Sequence, residues 1–253
     1  MAKAPPDLWA ALAAEARIGA RQLDAWRVVE SQYLISTRKL VDTLEEQEAL
    51  EELIDSAKPR VPSGPGFRGL HYLLFTPFRY PPLPYGSRFG RTHERGIWYG
   101  SLDRQTSLAE RAYYKLVFLE GNRRLGTLTV PETLFSAAVA ATRFLDLTGP
   151  PFSGHEATIS SPTSYAAAQA LGTAMRGAGV EGFTYVSARA RARGHNVGLF
   201  EPAFGHKEPL GSESWICTAT VEAVEFRWVL GKAPLVFPRR DFLVNGRLPH
   251  PAV

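Results

Sequence analysis

Apolar positions change their spacing once along this chain. Up to residue 60, Leu8, Trp9, Leu12, Leu23, Trp26, Val29, Leu40, Leu44, Leu50, Leu53 and Ile54 recur at helical intervals with charged residues between them. That spacing lines apolar side chains along one face of a 3.6-residue helix, and it predicts an N-terminal helical extension over residues 1–60. The stretch from Lys58 to Gly66 holds three prolines and two glycines in nine residues, which neither a helix nor a central strand tolerates. Beyond it the pattern shortens. Apolar, aromatic or β-branched runs bounded by turn residues predict strands at 71–76, 97–100, 124–130, 182–187, 196–200, 215–228 and 235–237. Helical spacing returns at 106–119, 131–142 and 162–177, where Ser161 or Thr163 can cap the last of these. The expectation is an α+β protein with a mixed β core, flanking helices and a helical extension.

Composition narrows the function classes. No apolar run reaches the roughly 18 residues of a membrane span, and the first residues lack the basic-then-apolar layout of a signal peptide, so a cytoplasmic protein is expected. Cys217 is the single cysteine, which excludes an internal disulfide and a cysteine-based zinc site. The six histidines are scattered without metal-ligand spacing, and no metal is expected. Charge is divided: residues 1–60 carry 8 Lys/Arg against 11 Asp/Glu, whereas 61–253 carry 21 against 14. The basic part suits an anionic ligand or an acidic partner.

Three familiar spellings carry no chemistry. Gly64-Pro-Gly-Phe-Arg-Gly69 satisfies G-x-G-x-x-G, but it precedes a predicted strand, and the phosphate site of a dinucleotide fold needs a helix N-terminus there. Ser36-Thr-Arg-Lys39 spells S-x-x-K without its companion motifs. Gly231-Lys232 is followed by Ala233, so no Walker loop is present.

Candidate chemistry gathers between Phe78 and Glu110. Phe78-Arg79-Tyr80, Gly86-Ser87-Arg88-Phe89, Trp98-Tyr99-Gly100 and Ser107-Leu108-Ala109-Glu110 follow one another closely. Arginine presents a planar fork that pairs two phosphate oxygens at once, and tyrosine supplies a flat face for a base or a pyridinium ring. These residue types suit a nucleotide diphosphate. Each also has a plainer reading. Ser107-x-x-Glu110 spells a helix capping box, Arg79 and Arg88 fit surface ion pairs, and Tyr80 beside Pro81-Pro82 fits a turn.

Arg79-Tyr80, Gly86-Ser87-Arg88-Phe89, Tyr99 and Thr106-Ser-Leu-Ala-Glu110 together resemble the RES domain. The later Tyr185-Val-Ser187-Ala-Arg189 and Asn196-Val-Gly-Leu-Phe200 extend the resemblance over residues 67–237. The spacing of eleven residues from Arg88 to Tyr99, and eleven again to Glu110, fits the family pattern. Phe89 stands where that pattern commonly has Trp, and either Arg68 or Arg79 answers to its first arginine, with Arg79 preferred because Tyr80 follows it.

The resemblance implies a RES catalytic domain at 61–253 with a fold similar to ADP-ribosyltransferases. It also implies a bacterial toxin that consumes NAD⁺, with an Xre-type antitoxin as partner. In that reading Glu110 stabilises the oxocarbenium-like sugar, Arg79 and Arg88 bind the pyrophosphate, Tyr80 and Tyr99 pack on the nicotinamide riboside, and Ser187 hydrogen-bonds the ribose or the amide. An ADP-ribosyltransferase acting on a protein would use the same residues. A binding module would instead use Arg189, Arg191 and Arg193, which an extended chain places on one face. No direct nucleic-acid contact is expected, because no helix has a groove-reading layout. A homodimer through the apolar positions of the extension is a further expectation.

Overall fold

A single 20-residue strand, β3 (Thr127–Asp146), organises the molecule. The computed structural model describes residues 7–31, 43–231 and 233–251; Ser36-Thr-Arg-Lys39, Leu40 and Lys232 lie outside them. β3 pairs antiparallel with β1 (Ile18–Glu30) along one edge, and with β6 (Gly211–Thr220) and then, in parallel, β4 (Gly182–Val186) along the other. β4 pairs with β5 (His195–Leu199), β5 with β2 (Trp98–Ser101), and β2 returns to β1 at Trp26 and Ser101. Strands β1, β2, β5, β4 and β3 therefore close a ring. From β3 the sheet continues through β6 to β7 (Ala223–Trp228) and β8 (Leu235–Pro238).

Helices pack on this sheet in three apolar clusters. α3 (Tyr72–Arg79) turns Leu74 and Phe78 toward Trp98, Phe135, Val139 and Leu199. α4 (Arg104–Gly121) buries Leu108, Ala112, Leu116 and Leu119, spaced three and four apart, against Trp215, Cys217 and Phe226. α6 (Ala166–Gly177) sets Ala168, Leu171 and Met175 against Phe89, Phe183 and Phe200, joined by Leu8 of the short α1 (Leu8–Leu12) and Ile159 of α5 (Glu156–Ile159). Among the described residues no helix is long and apolar enough to cross a membrane.

Four expectations need correction. Residues 18–30 form strand β1, so among the described residues of the first 60 only α1 and α2 (Leu44–Ala57) are helical. The three-residue spacing of Leu23, Trp26 and Val29 imitates a helix, but pairing with β3 overrides it. The predicted helix at 131–142 is the middle of β3. It is buried on both faces, so its side chains show no alternation and its alanines read as helical. Residues 72–79 are helical, started by His71, whose Nδ1 accepts from Leu73 N at 3.2 Å. The run 215–228 is a hairpin of two strands that turns at Val221-Glu222.

α2 leaves Leu53 and Ile54 exposed. Cys217 is buried in the α4 cluster, and burial pushes its thiol up to about 12, which keeps it protonated and unreactive at neutral pH.

Candidate functional site

Glu110 lies in the second turn of α4, and the helix start leaves it unoccupied by capping. Asp103 is the N-cap: its carboxylate accepts from Thr106 N at 2.8 Å and Thr106 Oγ1 at 2.7 Å. The capping-box reading of Ser107 and Glu110 therefore fails. Glu110 instead crosses to the sheet. Its Oε1 accepts from Ser187 Oγ and from Asn196 Nδ2, each at 2.6 Å.

Both donors are held in turn. Ser187 Oγ accepts from the backbone N–H groups of Arg189 and Ala190 at 3.1 and 3.0 Å, which leaves its proton directed at Glu110. Asn196 Oδ1 accepts from the buried Ser101 Oγ at 2.7 Å, which orients the amide so that Nδ2 faces Glu110. Oε2 of Glu110 receives no hydrogen bond from the described residues, and Glu110 lines a cavity of about 270 Å³.

That cavity gathers residues from seven segments. α4 supplies Ser107, Glu110, Arg111 and Tyr114; β1 supplies Arg27 and Val28; β2 supplies Tyr99 to Ser101. The loop before β2 supplies Ser87 and Arg88, while Tyr165, Tyr185 and Asn196 complete the wall. Arg88 is 7% exposed; its Nη1 donates to the Ser161 carbonyl at 2.7 Å, and its guanidinium lies 4.7 Å from the Tyr165 ring centre. Burial alone would lower its pKa, but Tyr165, Tyr185 and Glu110 around it raise it above that of an ordinary arginine. Burial, reinforced by the charge of Arg111, lowers Arg27 to about 10, so it is still cationic at neutral pH. Among the described residues neither Arg27 nor Arg88 has a carboxylate partner.

Tyr99 acts on the loop that carries Arg88. Its hydroxyl accepts from Phe89 N at 3.1 Å and hydrogen-bonds Ser87 Oγ at 2.9 Å, and burial pushes the phenol up to about 12. Gln169 of α6 holds the same loop from outside, donating to the Ser87 carbonyl at 3.0 Å. α6 approaches so closely that a Cβ at Gly172 would stand 1.9 Å from the Phe89 carbonyl oxygen. Gly172→Ala is therefore expected to destabilise the fold by about 1–3 kcal/mol, read as a lower urea midpoint at unchanged slope.

Of the sequence candidates, the structure brings together Glu110, Arg88, Ser187 and Tyr99 but not Arg79 or Tyr80. Arg79 ends α3 and donates through Nε to the Pro59 carbonyl; Tyr80 is 39% exposed; neither lines the cavity, and nor does Arg68. The helix formed by 72–79 turns these residues away. The other guanidiniums of the cavity are Arg111, which follows Glu110 on α4, and Arg27, hidden from sequence reasoning because its strand reads as helix. Asn196 and Tyr185 lay within the RES-like segments without being singled out.

The arginine stripe is corrected as well. Residues 189–194 bend, Arg189 is buried against Tyr113 at 3.6 Å, and the exposed Arg191 and Arg193 pair with Asp241 and Glu156. Among the described residues no group of three or more His, Cys, Asp or Glu is arranged to hold a metal.

A comparison with curated proteins finds no match. Among solved structures, the M. tuberculosis MbcT-MbcA toxin-antitoxin complex aligns at TM-score 0.48 and 15% identity, over 81% of this chain and 90% of that one. The sequence model of the RES domain matches residues 60–224, well over half of the chain, with Arg88, Tyr99, Glu110 and Ser187 inside the match and Arg27 before it. The protein belongs to the RES domain family.

Proposed function

We propose that this protein is an NAD⁺-consuming toxin that cleaves the bond between nicotinamide and ribose, with water or phosphate as acceptor. One observation carries the reading: a carboxylate gripped on one oxygen by Ser187 and Asn196, with its other oxygen unbonded among the described residues, lining a cavity that also holds two guanidiniums without carboxylate partners. Breaking the glycosidic bond builds positive charge on the sugar, and a fixed carboxylate beside that carbon stabilises it without having to reorganise. Nicotinamide departs as a neutral ring, so the reaction needs no general acid. Arg27 and Arg88 supply cations for the pyrophosphate, and Tyr165 and Tyr185 supply aromatic faces for the ligand. Tyr99 serves by fixing the Arg88 loop, and Ser187 by aiming Glu110.

Family membership supports the wider setting: a toxin–antitoxin pair in the cytoplasm, an Xre-type antitoxin as protein partner, and a homodimer within that complex. The test is nicotinamide release from NAD⁺ followed by chromatography, with and without phosphate. A phosphate-dependent product selects phosphorolysis, and a phosphate-independent one selects hydrolysis. Label passing from NAD⁺ to a protein selects ADP-ribosyl transfer, and no release and no transfer by the folded protein overturns the proposal.

Ser187→Ala removes one of the two anchors of Glu110 and strands two backbone N–H groups. It is expected to lower kcat about tenfold with a smaller change in KM, and to cost roughly 1–2 kcal/mol of stability. Steady-state kinetics beside a thermal melt checks both.

A further inference from the structure

The wall built by β1 and α4 carries charge that the glycosidic step does not use. Glu30 of β1 and Glu132 of β3 are directly opposed across the ladder, an unfavourable arrangement for like charges, and Glu132 is fully buried. Two cations one helical turn apart on α4 answer them. Arg111 donates through Nε and Nη2 to Glu132 Oε1 at 2.9 and 2.7 Å, and Lys115 Nζ lies 2.9 Å from the same oxygen. Lys115 and Arg111 also reach Glu30, at 3.2 and 3.6 Å.

A buried ion cluster is poor evidence of stability, because apolar residues of similar size often serve as well. Apolar residues would not hold a guanidinium in one orientation. Glu132 occupies Nε and Nη2 of Arg111, whereas Nη1 donates to none of the described residues, and Arg111 lines the cavity alongside Arg27. Arg27 has its Nε buried without a hydrogen-bond partner. The four-residue cluster is neutral; Arg27 donates through Nη1 to the Tyr99 carbonyl at 2.5 Å but has no carboxylate partner among the described residues, so it leaves this wall with an uncompensated positive charge. A buried site of that kind favours an anion with several acceptor oxygens.

We propose that Arg111, held in place by the positioning residues Glu132 and Lys115, is a specificity residue that joins Arg27 in binding the phosphate groups of the ligand. The inference rests on the NAD⁺-cleaving reading of the same cavity. Its consequence is discrimination: the site selects a phosphate-bearing nicotinamide nucleoside over a phosphate-free one.

The experiment compares kcat/KM for NAD⁺ with kcat/KM for nicotinamide riboside in the wild type, Arg111→Gln and Glu132→Gln. Arg111→Gln leaves Lys115 beside the buried Glu132, so the fold retains a partner for that carboxylate. The preference for NAD⁺ is expected to fall about tenfold in Arg111→Gln and to fall in the same direction in Glu132→Gln. A purely structural role slows both substrates together, and an unchanged preference in Arg111→Gln overturns the proposal; that variant decides alone if Glu132→Gln does not fold. Where the wild type fails to turn over either substrate, affinity for ADP-ribose by calorimetry decides. Binding about tenfold weaker in Arg111→Gln upholds the phosphate site even if the cleavage reading has failed, and equal binding, or none by the wild type, overturns it.

Discussion

Glu110→Gln is expected to reduce nicotinamide release by on the order of 10²-fold or more, about 3 kcal/mol of transition-state stabilisation, while leaving the fold nearly unchanged. The substitution separates charge from shape. Ser187 and Asn196 both donate to a single oxygen of Glu110, and the amide oxygen of Gln accepts both bonds in the same place. What disappears is the negative charge facing the cavity. Equal melting temperatures with turnover lost would assign Glu110 to the chemistry. Turnover within a few-fold of wild type, at any stability, would remove it from the mechanism and with it the glycosidic reading. Loss of both would call for Glu110→Asp, which keeps the charge.

The second large effect is expected from removing residues 1–60. Sequence spacing divides the chain there, and a separate catalytic unit would survive the cut. In the structure the cut removes β1, which closes the ring between β2 and β3 and pairs with β3 from Ile18–Leu145 to Glu30–Glu132. It also removes Ala25 and Val28, together with Leu23, Trp26 and Val29 packed against the α3 and α4 clusters. Each large apolar side chain lost forfeits about 1.5–3 kcal/mol, and a whole domain is stable by only about 5–15. The exposed edge of β3 would then invite pairing with other chains. Residues 61–253 alone are expected to aggregate or to melt without a cooperative transition, as read by circular dichroism and size-exclusion chromatography. A soluble fragment with a cooperative melt would show that β1 is dispensable to the fold, and the loss of Arg27 would then be tested by its turnover of NAD⁺.

Both predictions turn on what local pattern can and cannot reveal. α4 was legible because its apolar spacing and its burial coincide: one face meets the sheet, so Leu108, Ala112 and Leu116 recur as a helix requires. β4 and β5 were legible as short β-branched and aromatic runs between turns. α3 was misread because eight residues with apolar side chains on several sides satisfy either period, and the deciding feature is a single capping contact from His71.

Within the site, Arg88, Tyr99, Glu110 and Ser187 stand out from one linear pattern; the structure lines the cavity with the first three and hydrogen-bonds Ser187 to Glu110. Ser187 Oγ donates to Glu110, where the expected partner was the ribose or the amide of the ligand. Arg79 and Tyr80 satisfied the same pattern of residue types, yet they end a helix and do not line the cavity.

The amino-acid sequence by itself determined the mixed α+β class and the family, and it brought forward Glu110 and the Arg88 loop as candidates, because those depend on residue types at short, regular separations. Only the tertiary structure decided that β1 completes the sheet and that Arg27 and Arg111 share a wall with Glu110. It likewise decided that the carboxylate is aimed by two side chains 77 and 86 residues away. Strand pairing and buried charge compensation join positions far apart in the chain, and a local window carries no record of them.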